Sequence, residues 1–244
     1  MAVVARLLSA DSAWGGERIV HGAWLPAGWR ACVRWFGDYV RMPHGSYDPV
    51  RLAYHGWKKR LVGPVERFFL RRAKKVLATC DAERDWILAY EPRAKVEVVD
   101  IKRYFRLDAL TQGHGETGRS SVLKVLYLGR RHPLKGVEYL EKAVEQSNNP
   151  NNRTISLRLV SDATGEEKER VWAWCDVLVL PTLSENFGLV VAEALERGKR
   201  VITTDGAPVW DGDDYGGRLV YLKGYRDGGA ETRVRLLTEA LKMI

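Results

Sequence analysis

The chain has 244 residues, 45% hydrophobic and 29% charged, with a formal net charge of +8. This is enough apolar material for one large domain or two small ones. No apolar run approaches the ~20 residues of a membrane-spanning helix, and the N-terminus has no signal-peptide pattern, so we expect a cytoplasmic protein.

The positive charge is concentrated in the N-terminal part. Residues 1–110 contain 20 Lys and Arg against 12 Asp and Glu, whereas residues 111–244 contain 19 of each. A basic surface of this kind can face an anionic membrane, an acidic substrate, nucleic acid or only solvent. No helix-turn-helix, zinc-finger or RNA-recognition signature accompanies it, so we do not expect a nucleic-acid partner. Cys32, Cys80 and Cys175 lack Cys-x-x-Cys spacing, which favours free thiols over a zinc site or a disulfide framework.

The elements before residue 110 are short strands and one long helix. Residues 18–21, 39–42 and 95–99 are predicted as strands. Residues 56–79 follow a helical spacing of apolar residues, with a strand beginning near 76, and Pro64 predicts either a kink or a second helix start. Asp81 is the predicted N-cap of a helix that runs to Tyr90.

A polar segment at residues 110–121 is predicted as a linker. Strands and helices alternate regularly after it. The strands are predicted at 122–128, 155–160, 177–180 and 201–204, and the helices at 136–146, 166–174, 187–197 and 230–242. Apolar strands that alternate with helices indicate a parallel sheet covered on both faces.

The first predicted strand end with a cluster of basic residues is Tyr127-Leu-Gly-Arg-Arg-His-Pro-Leu-Lys-Gly136. Ligands of open parallel sheets bind beyond the carboxyl ends of the strands. Gly129 allows a sharp turn there, and Arg130 and Lys135 emerge beside a helix N-terminus, an arrangement that suits a diphosphate. Surface cations after a strand are also common, so this motif alone leaves both interpretations open.

Another predicted strand end, followed by two glutamates, is Leu180-Pro-Thr-Leu-Ser-Glu-Asn-Phe-Gly-Leu-Val-Val-Ala-Glu193. Glu185 lies in the loop and Glu193 two turns into the following helix, so both carboxylates can accept hydrogen bonds from the hydroxyls of a sugar and a ribose. The turn between them should present free backbone N–H groups; it consists of Asn186, Phe187, Gly188 and Leu189. The alternative is an acidic helix start favoured by the helix dipole, followed by a solvated glutamate.

These motifs together resemble family 4 glycosyltransferases of the GT-B fold. The donor domain of that family carries Glu-x7-Glu, matched by Glu185 and Glu193, and a Gly-Arg…Lys-Gly element, matched by residues 129–130 and 135–136. Two upstream loops, Ile19-Val-His-Gly-Ala-Trp-Leu-Pro26 and Met42-Pro-His-Gly-Ser-Tyr-Asp-Pro49, resemble loops of the acceptor domain. His21 and His44 are the conspicuous residues in them, and each could also be a turn histidine without a substrate role.

The resemblance implies two Rossmann-like parallel-sheet domains with a truncated N-terminal one. We expect a shortened acceptor-side domain at residues 1–109, the linker at 110–121 and a nucleotide-sugar donor-binding domain at 122–244. Members of the family have a longer N-terminal half and an additional strand and helix between the segments that end here at Val160 and begin at Gly165.

The implied function is a hexosyltransferase-type reaction from a nucleoside-diphosphate sugar to a hydroxyl, with retention of configuration and without a metal. Glu185 would orient the donor sugar, Glu193 the ribose and His44 the transferred sugar, while Arg130 and Lys135 stabilise the departing diphosphate. No cofactor is expected beyond the donor substrate. The alternative is a degenerate, non-catalytic accessory protein. Asp211-Gly-Asp213 has the form of a metal motif but is predicted to be a turn.

The expected partners are a nucleotide sugar, a sugar or glycolipid acceptor of envelope polysaccharide or lipopolysaccharide synthesis, and an anionic membrane surface. The membrane prediction depends on residues 57–75, where eight basic residues flank an apolar face that includes Leu61, Val65, Phe68 and Phe69. Such a helix can lie at the inner face of a membrane and make the protein peripheral. The alternative is that the apolar face packs inside the acceptor domain.

Overall fold

A computed structural model of the chain describes residues 16–54, 56–105, 107, 121–148 and 154–244. The chain forms two compact units, residues 1–104 and 105–244. Residues 110–120 of the predicted linker lie outside the described residues, as does the start of the predicted N-terminal domain. Both units contain a parallel sheet with helices, and this confirms the α/β fold class expected from the sequence.

The N-terminal unit has a four-stranded parallel sheet in the order β1-β2-β3-β4. The strands are β1 Ile19–His21, β2 Val40–Met42, β3 Lys75–Ala78 and β4 Val96–Val98. The helices between them are α1 Pro26–Arg34, α2 Pro49–Ala53, α3 Gly56–Arg72 and α4 Asp81–Tyr90. A 3₁₀ turn at Lys102–Tyr104 follows the last strand.

The C-terminal unit has a five-stranded parallel sheet in the order β6-β5-β7-β8-β9. The strands are β5 Val122–Leu128, β6 Thr154–Val160, β7 Val177–Leu180, β8 Arg200–Thr204 and β9 Leu219–Leu222. The helices are α5 Val137–Ser147, α6 Gly165–Trp174, α7 Leu189–Glu196 and α8 Ala230–Met243, with 3₁₀ turns at Pro133–Lys135 and Pro208–Trp210. This doubly wound order reverses direction between β5 and β7, and ligands of such sheets bind outside the strand ends at that reversal.

An ion pair lies in the core of the N-terminal unit. Glu66, on the inner face of α3, accepts a hydrogen bond of 2.5 Å from Arg41 and one of 2.6 Å from the Tyr47 hydroxyl. The indole N–H of Trp29 also donates to Glu66. Arg41 and Glu66 are 1% and 0% exposed, so these hydrogen bonds offset the cost of burying two charges.

The structure corrects several element boundaries. The helix predicted from residue 56 ends at Arg72, and the strand predicted to begin near residue 76 is β3, which begins at Lys75. Pro64 lies inside one continuous helix rather than starting a second one. Asp81 is the first helical residue, and the N-cap is Cys80, whose side chain makes no capping hydrogen bond. The sequence reading missed α1, which begins with Pro26, and β9.

Within the described residues, no helix combines the length and the apolarity needed to cross a bilayer. Cys32 and Cys175 are buried and Cys80 is half-buried, and all three are free thiols. Asp211 forms a surface ion pair with Lys223, and the Asp213 amide donates to the Trp210 carbonyl. These contacts agree with the turn predicted for residues 211–213.

Candidate functional site

Three loops meet at the carboxyl edge of the C-terminal sheet, where the strand order reverses. The loop after β5 contains Lys135, the loop after β7 contains Glu185, and the loop after β8 contains Gly206. Backbone hydrogen bonds connect them: Leu183 N donates to Leu134 O at 2.8 Å, and Glu185 N donates to Gly206 O at 2.7 Å. The site is therefore held by main-chain contacts between loops that are distant in sequence.

Two glycines make this close approach possible. Gly136 has φ +60° and caps α5, and a Cβ there would overlap the Pro181 carbonyl oxygen. A Cβ on Gly206 would overlap the Thr182 carbonyl oxygen. Both positions require glycine because a neighbouring backbone occupies the space of a side chain.

The Lys135 ammonium forms an ion pair with the Glu185 carboxylate. The two side chains are 21% and 20% exposed, so the pair is accessible from one side. Glu185 Oε1 also accepts a hydrogen bond of 3.1 Å from the Asn186 amide. The sequence predicted that both residues bind the nucleotide-sugar donor, and the structure adds that they contact each other.

Tyr127 lies beside this pair. Burial, together with the negative charge of Glu185, raises the pKa of Tyr127 to about 12. Its hydroxyl donates a hydrogen bond of 2.8 Å to the Arg130 carbonyl and so fixes the turn after β5. Sequence reasoning missed this residue because an inward-facing tyrosine in an apolar strand gives only a core signal.

The Arg130 side chain is exposed. Its neighbour Arg131 pairs with Glu141 on α5. In the part of the chain that the structure describes, no carboxylate lies within ion-pair distance of Arg130. Arg130 is thus a cation at the strand end that has no counterion among the described residues.

The turn before α7 is anchored by aromatic packing. The Phe187 ring is buried and stacks on the Phe105 ring with 5.3 Å between centroids. The backbone carbonyl of Phe187 accepts a hydrogen bond of 2.6 Å from the Trp210 indole. Gly188, with φ +67°, is the N-cap, and Leu189 is the first residue of α7. The helix thus begins two residues later than predicted, and Phe187 supports the turn through its side chain.

Glu193 has a protein partner of its own. Its Oε2 atom is buried and lies 2.7 Å from Lys168 Nζ on α6, without the alignment of a hydrogen bond. Glu185 and Glu193 therefore differ in surroundings, since each pairs with a different lysine. The sequence spacing identified both glutamates, but Lys168 was not expected because it comes from another helix.

In the N-terminal unit, His21 is the last residue of β1, and it contacts His44, which lies two residues beyond β2. His21 Nδ1 lies 2.9 Å from His44 Nε2, and the rings stack with centroids 5.1 Å apart. Burial, with contributions from His21 and Arg51, lowers the pKa of His44 to about 3, and burial also lowers the pKa of His21. Both imidazoles are therefore neutral at pH 7, and the N–H of one ring donates a hydrogen bond to the facing nitrogen of the other.

The backbone at His44 has φ +55°, which is rare for a residue with a side chain. Glu83 holds the next residue in place: it accepts 2.5 Å from Gly45 N, and its other oxygen accepts 2.8 and 2.7 Å from the amide and hydroxyl of Thr79. Burial raises the pKa of Glu83. An acidic residue at the third helical position is usually a capping residue, so the sequence did not reveal its contact with the histidine loop.

Two family models match the chain. Residues 1–101 match a glycosyl transferase 4-like domain, and residues 162–238 match glycosyl transferases group 1. No curated protein sequence matches.

Solved structures share the fold at low identity. Sucrose-phosphate synthase from Thermosynechococcus elongatus superposes with a TM-score of 0.63 at 17% identity, covering 98% of this chain and 69% of that one. A UDP-forming trehalose-phosphate synthase from Burkholderia xenovorans gives 0.61 at 12% identity, covering 100% and 71%. WaaG, a glycosyltransferase involved in lipopolysaccharide biosynthesis, gives 0.54 at 15% identity, covering 83% and 65%. The chain thus spans about two thirds of the length of these structures.

Proposed function

We propose, on the premise that this chain belongs to the glycosyltransferases of the GT-B fold, that it transfers a sugar from a nucleoside-diphosphate sugar to a hydroxyl acceptor. The observation that carries the proposal is the Lys135–Glu185 pair at the strand-order reversal of the C-terminal sheet. It joins a cation suited to a diphosphate and a carboxylate suited to sugar hydroxyls at the place where doubly wound sheets bind ligands.

The donor would bind across this pair. The diphosphate would replace the Glu185 carboxylate as the partner of Lys135. Arg130 has no counterion among the described residues and would pair with the same anion. The first amides of α7, after Gly188, would add neutral donors at a helix N-terminus. As the glycosidic bond breaks, charge grows on the diphosphate, and these groups would stabilise it.

Glu185, once released from Lys135, would accept hydrogen bonds from hydroxyls of the transferred sugar. We assign Glu193 to the ribose, with Lys168 holding its carboxylate in place. In the N-terminal unit, we assign His44 to hydrogen bonding with the transferred sugar and His21 to the acceptor side. Both would act as neutral groups at pH 7, because burial lowers the pKa of each.

The finer features follow from the resemblance. We propose retention of anomeric configuration, no metal requirement, and an acceptor that is a precursor of envelope polysaccharide or a glycolipid, used at the cytoplasmic side of a membrane. A mass-spectrometric screen of nucleotide sugars against the intact chain tests the first step. Product analysis of the best donor, with and without EDTA, tests turnover, retention and the metal requirement.

Glu185→Gln tests the site itself. Loss of one hydrogen bond to a charged group should cost ~1.5–3 kcal/mol, or roughly ten- to a hundredfold in turnover. Glu145→Gln, which changes an exposed carboxylate on α5, is the matched control and should leave turnover unchanged. Equal activity of Glu185→Gln and the parent chain would exclude this role. Tight donor binding without any product would instead support the accessory-protein alternative.

The phosphate ligands have a separate signature. Arg130→Ala and Lys135→Ala should weaken binding of a nucleoside diphosphate much more than binding of the corresponding nucleoside, because their proposed partner is the diphosphate. Isothermal titration with both ligands measures the difference. Equal losses for the two ligands would mean that these side chains act only through the fold.

A further inference from the structure

The exposed apolar side chains of the described residues are concentrated in one region. Ten large hydrophobic residues in the described ranges are more than a third exposed, and eight of them lie between residues 25 and 68: Leu25, Val33, Phe36, Tyr54, Trp57, Leu61, Val65 and Phe68. Apolar side chains scattered singly over a surface need no explanation, but a contiguous group marks an interaction surface.

Four of these residues form a stripe along α3. Trp57, Leu61, Val65 and Phe68 are 69%, 76%, 45% and 38% exposed, and their spacing of four, four and three places them on one face of the helix. The opposite face is buried and contains Glu66, Phe69 and Leu70. The helix therefore has a core face and a separate apolar face in water, so Phe69, which the sequence grouped with the stripe, belongs to the core.

Helix α1 extends the stripe. The Phe36 ring, just beyond α1, lies 6.1 Å from the Phe68 ring, and the Arg72 guanidinium lies 5.3 and 5.6 Å from these two rings. Val33, one turn before Phe36, is 63% exposed. We call the surface formed by Val33, Phe36, Trp57, Leu61, Val65 and Phe68 the apolar face.

Positive charge predominates around the apolar face, where Arg71 pairs with Glu91 and Lys74 with Asp38. The exposed cations on α1 and α3 are Arg30, Arg34, Lys58, Arg60, Arg67, Arg71 and Arg72. The acidic residue of the two helices is Glu66, and it is buried against Arg41. Among the described residues, no carboxylate lies within ion-pair distance of Arg30, Arg34, Lys58 or Arg60. The unpaired cations around the apolar face therefore favour an anionic partner.

A groove of about 980 Å³ runs beside the stripe. Its lining by described residues includes Trp24, Trp57, Lys59, Arg67 and Tyr90 and contains no acidic residue. Arg67 lies over the Tyr90 ring at 4.6 Å, and Lys59 Nζ donates a hydrogen bond of 2.9 Å to the Tyr54 carbonyl. The groove offers cations and aromatic rings at the border of the apolar face, where an anionic headgroup would lie.

We propose that the apolar face docks the protein onto an anionic lipid bilayer. Apolar side chains would enter the boundary between headgroups and acyl chains, and the surrounding cations would pair with anionic headgroups. Trp57, at one end of the stripe, is a residue type favoured at that depth. Nucleic acid would satisfy the cations but would leave the stripe in water, and a second copy of the chain would bring like charges together. The inference rests on the proposed function only for the choice of the cytoplasmic side.

Vesicle flotation of the intact chain tests the proposal, with phosphatidylcholine vesicles and with vesicles that also contain phosphatidylglycerol. Binding should require the anionic lipid and weaken as salt rises. The triple variant Arg34→Gln, Lys58→Gln and Arg60→Gln should lower the partition coefficient at low salt by roughly a hundredfold. The matched control changes three exposed cations of the C-terminal unit, Lys142→Gln, Arg170→Gln and Lys242→Gln, and should bind nearly as well as the parent chain.

A second variant tests the apolar component. Trp57→Ser with Leu61→Ser removes two highly exposed side chains and should weaken vesicle binding while leaving the circular dichroism spectrum unchanged. Equal binding to neutral and anionic vesicles, or equal losses in the basic triple variant and its control, would overturn the proposal. So would a change in oligomeric state in the apolar variant, measured by sedimentation, without any vesicle binding. Donor binding, measured on the same samples, separates failure of the docking surface from failure of the proposed function.

Discussion

The carboxyl edges of the two sheets carry candidate functional residues in opposite electrostatic states. In the C-terminal unit, the Lys135–Glu185 pair is charged and one-fifth exposed. In the N-terminal unit, the His21–His44 pair is neutral and largely buried. The carboxylates differ in the same way, since Glu66 and Glu83 are buried and fully bonded inside the N-terminal unit, whereas Glu185 remains accessible.

This difference separates carboxylates that build the protein from one that can bind a ligand. A buried carboxylate has already exchanged its water for protein donors, so a ligand gains nothing from it and its removal leaves those donors unpaired. An accessible ion pair contributes little to folding because water solvates both charges. Stability should therefore depend on Glu66, and activity on Glu185.

The largest effect on stability is expected from Glu66→Ala. It leaves the Arg41 guanidinium, 1% exposed, without its counterion and removes the acceptor of Tyr47 and Trp29. Breaking a buried pair in this way should lower the free energy of unfolding of the N-terminal unit by about 3–5 kcal/mol, measured by urea unfolding. The control is Glu97→Ala, which breaks a half-exposed pair with Lys75 in the same unit. Similar shifts for both variants would contradict the comparison.

The next effect is a dependence of stability on pH at His44. Its pKa is lowered from 6.5 to about 3, so between these values the unfolded chain binds more protons than the folded chain. Stability is therefore fully present above pH 6.5 and falls as the pH drops towards 3. His44→Asn, chosen because asparagine tolerates positive φ, should flatten this part of the profile. Parallel profiles for the variant and the parent chain would show that His44 is not the titrating group.

A smaller effect is expected from Gly136→Ala at the donor loops. The new methyl group would overlap the Pro181 carbonyl, and the alanine backbone would have to adopt φ +60°. The free energy of unfolding of the C-terminal unit should therefore fall by about 2–3 kcal/mol. Gly165→Ala is the matched control, because that glycine has φ +54° but open space around it. It should cost only ~1 kcal/mol for the backbone conformation. Equal costs would mean that the loops yield freely to the methyl group.

The smallest effect on stability is expected from Glu185→Gln. The pair with Lys135 is accessible to water, so its loss should change the free energy of unfolding by less than about 1 kcal/mol. The same variant should lose most of its turnover. A chain that is strongly destabilised by Glu185→Gln would place Glu185 with the structural carboxylates and remove the contrast between the two units.

Much of the C-terminal unit could be predicted from the sequence. Near-continuous apolar strands separated by amphipathic helices have a periodicity that is visible without contacts, and the bounds of β5 and β7 were predicted to the residue. In the N-terminal unit, the strands β1 to β4 were also predicted, but each has only three or four residues, which is too short for a periodic signal that they form one sheet. Helix α1 was missed because its apolar residues include exposed ones such as Val33, so its pattern is blurred.

The sequence by itself determined the α/β class, the parallel sheet of the C-terminal unit and the residue types at the strand ends, because these depend on local periodicity and on turn chemistry. Only the tertiary structure decided the partners: Lys135 for Glu185, Lys168 for Glu193, Glu83 for the loop of His44. It also decided that Leu61, Val65 and Phe68 face water while Phe69 enters the core. Pairing and exposure depend on which distant segments pack together, and a single sequence does not record the free energy of those long-range contacts residue by residue.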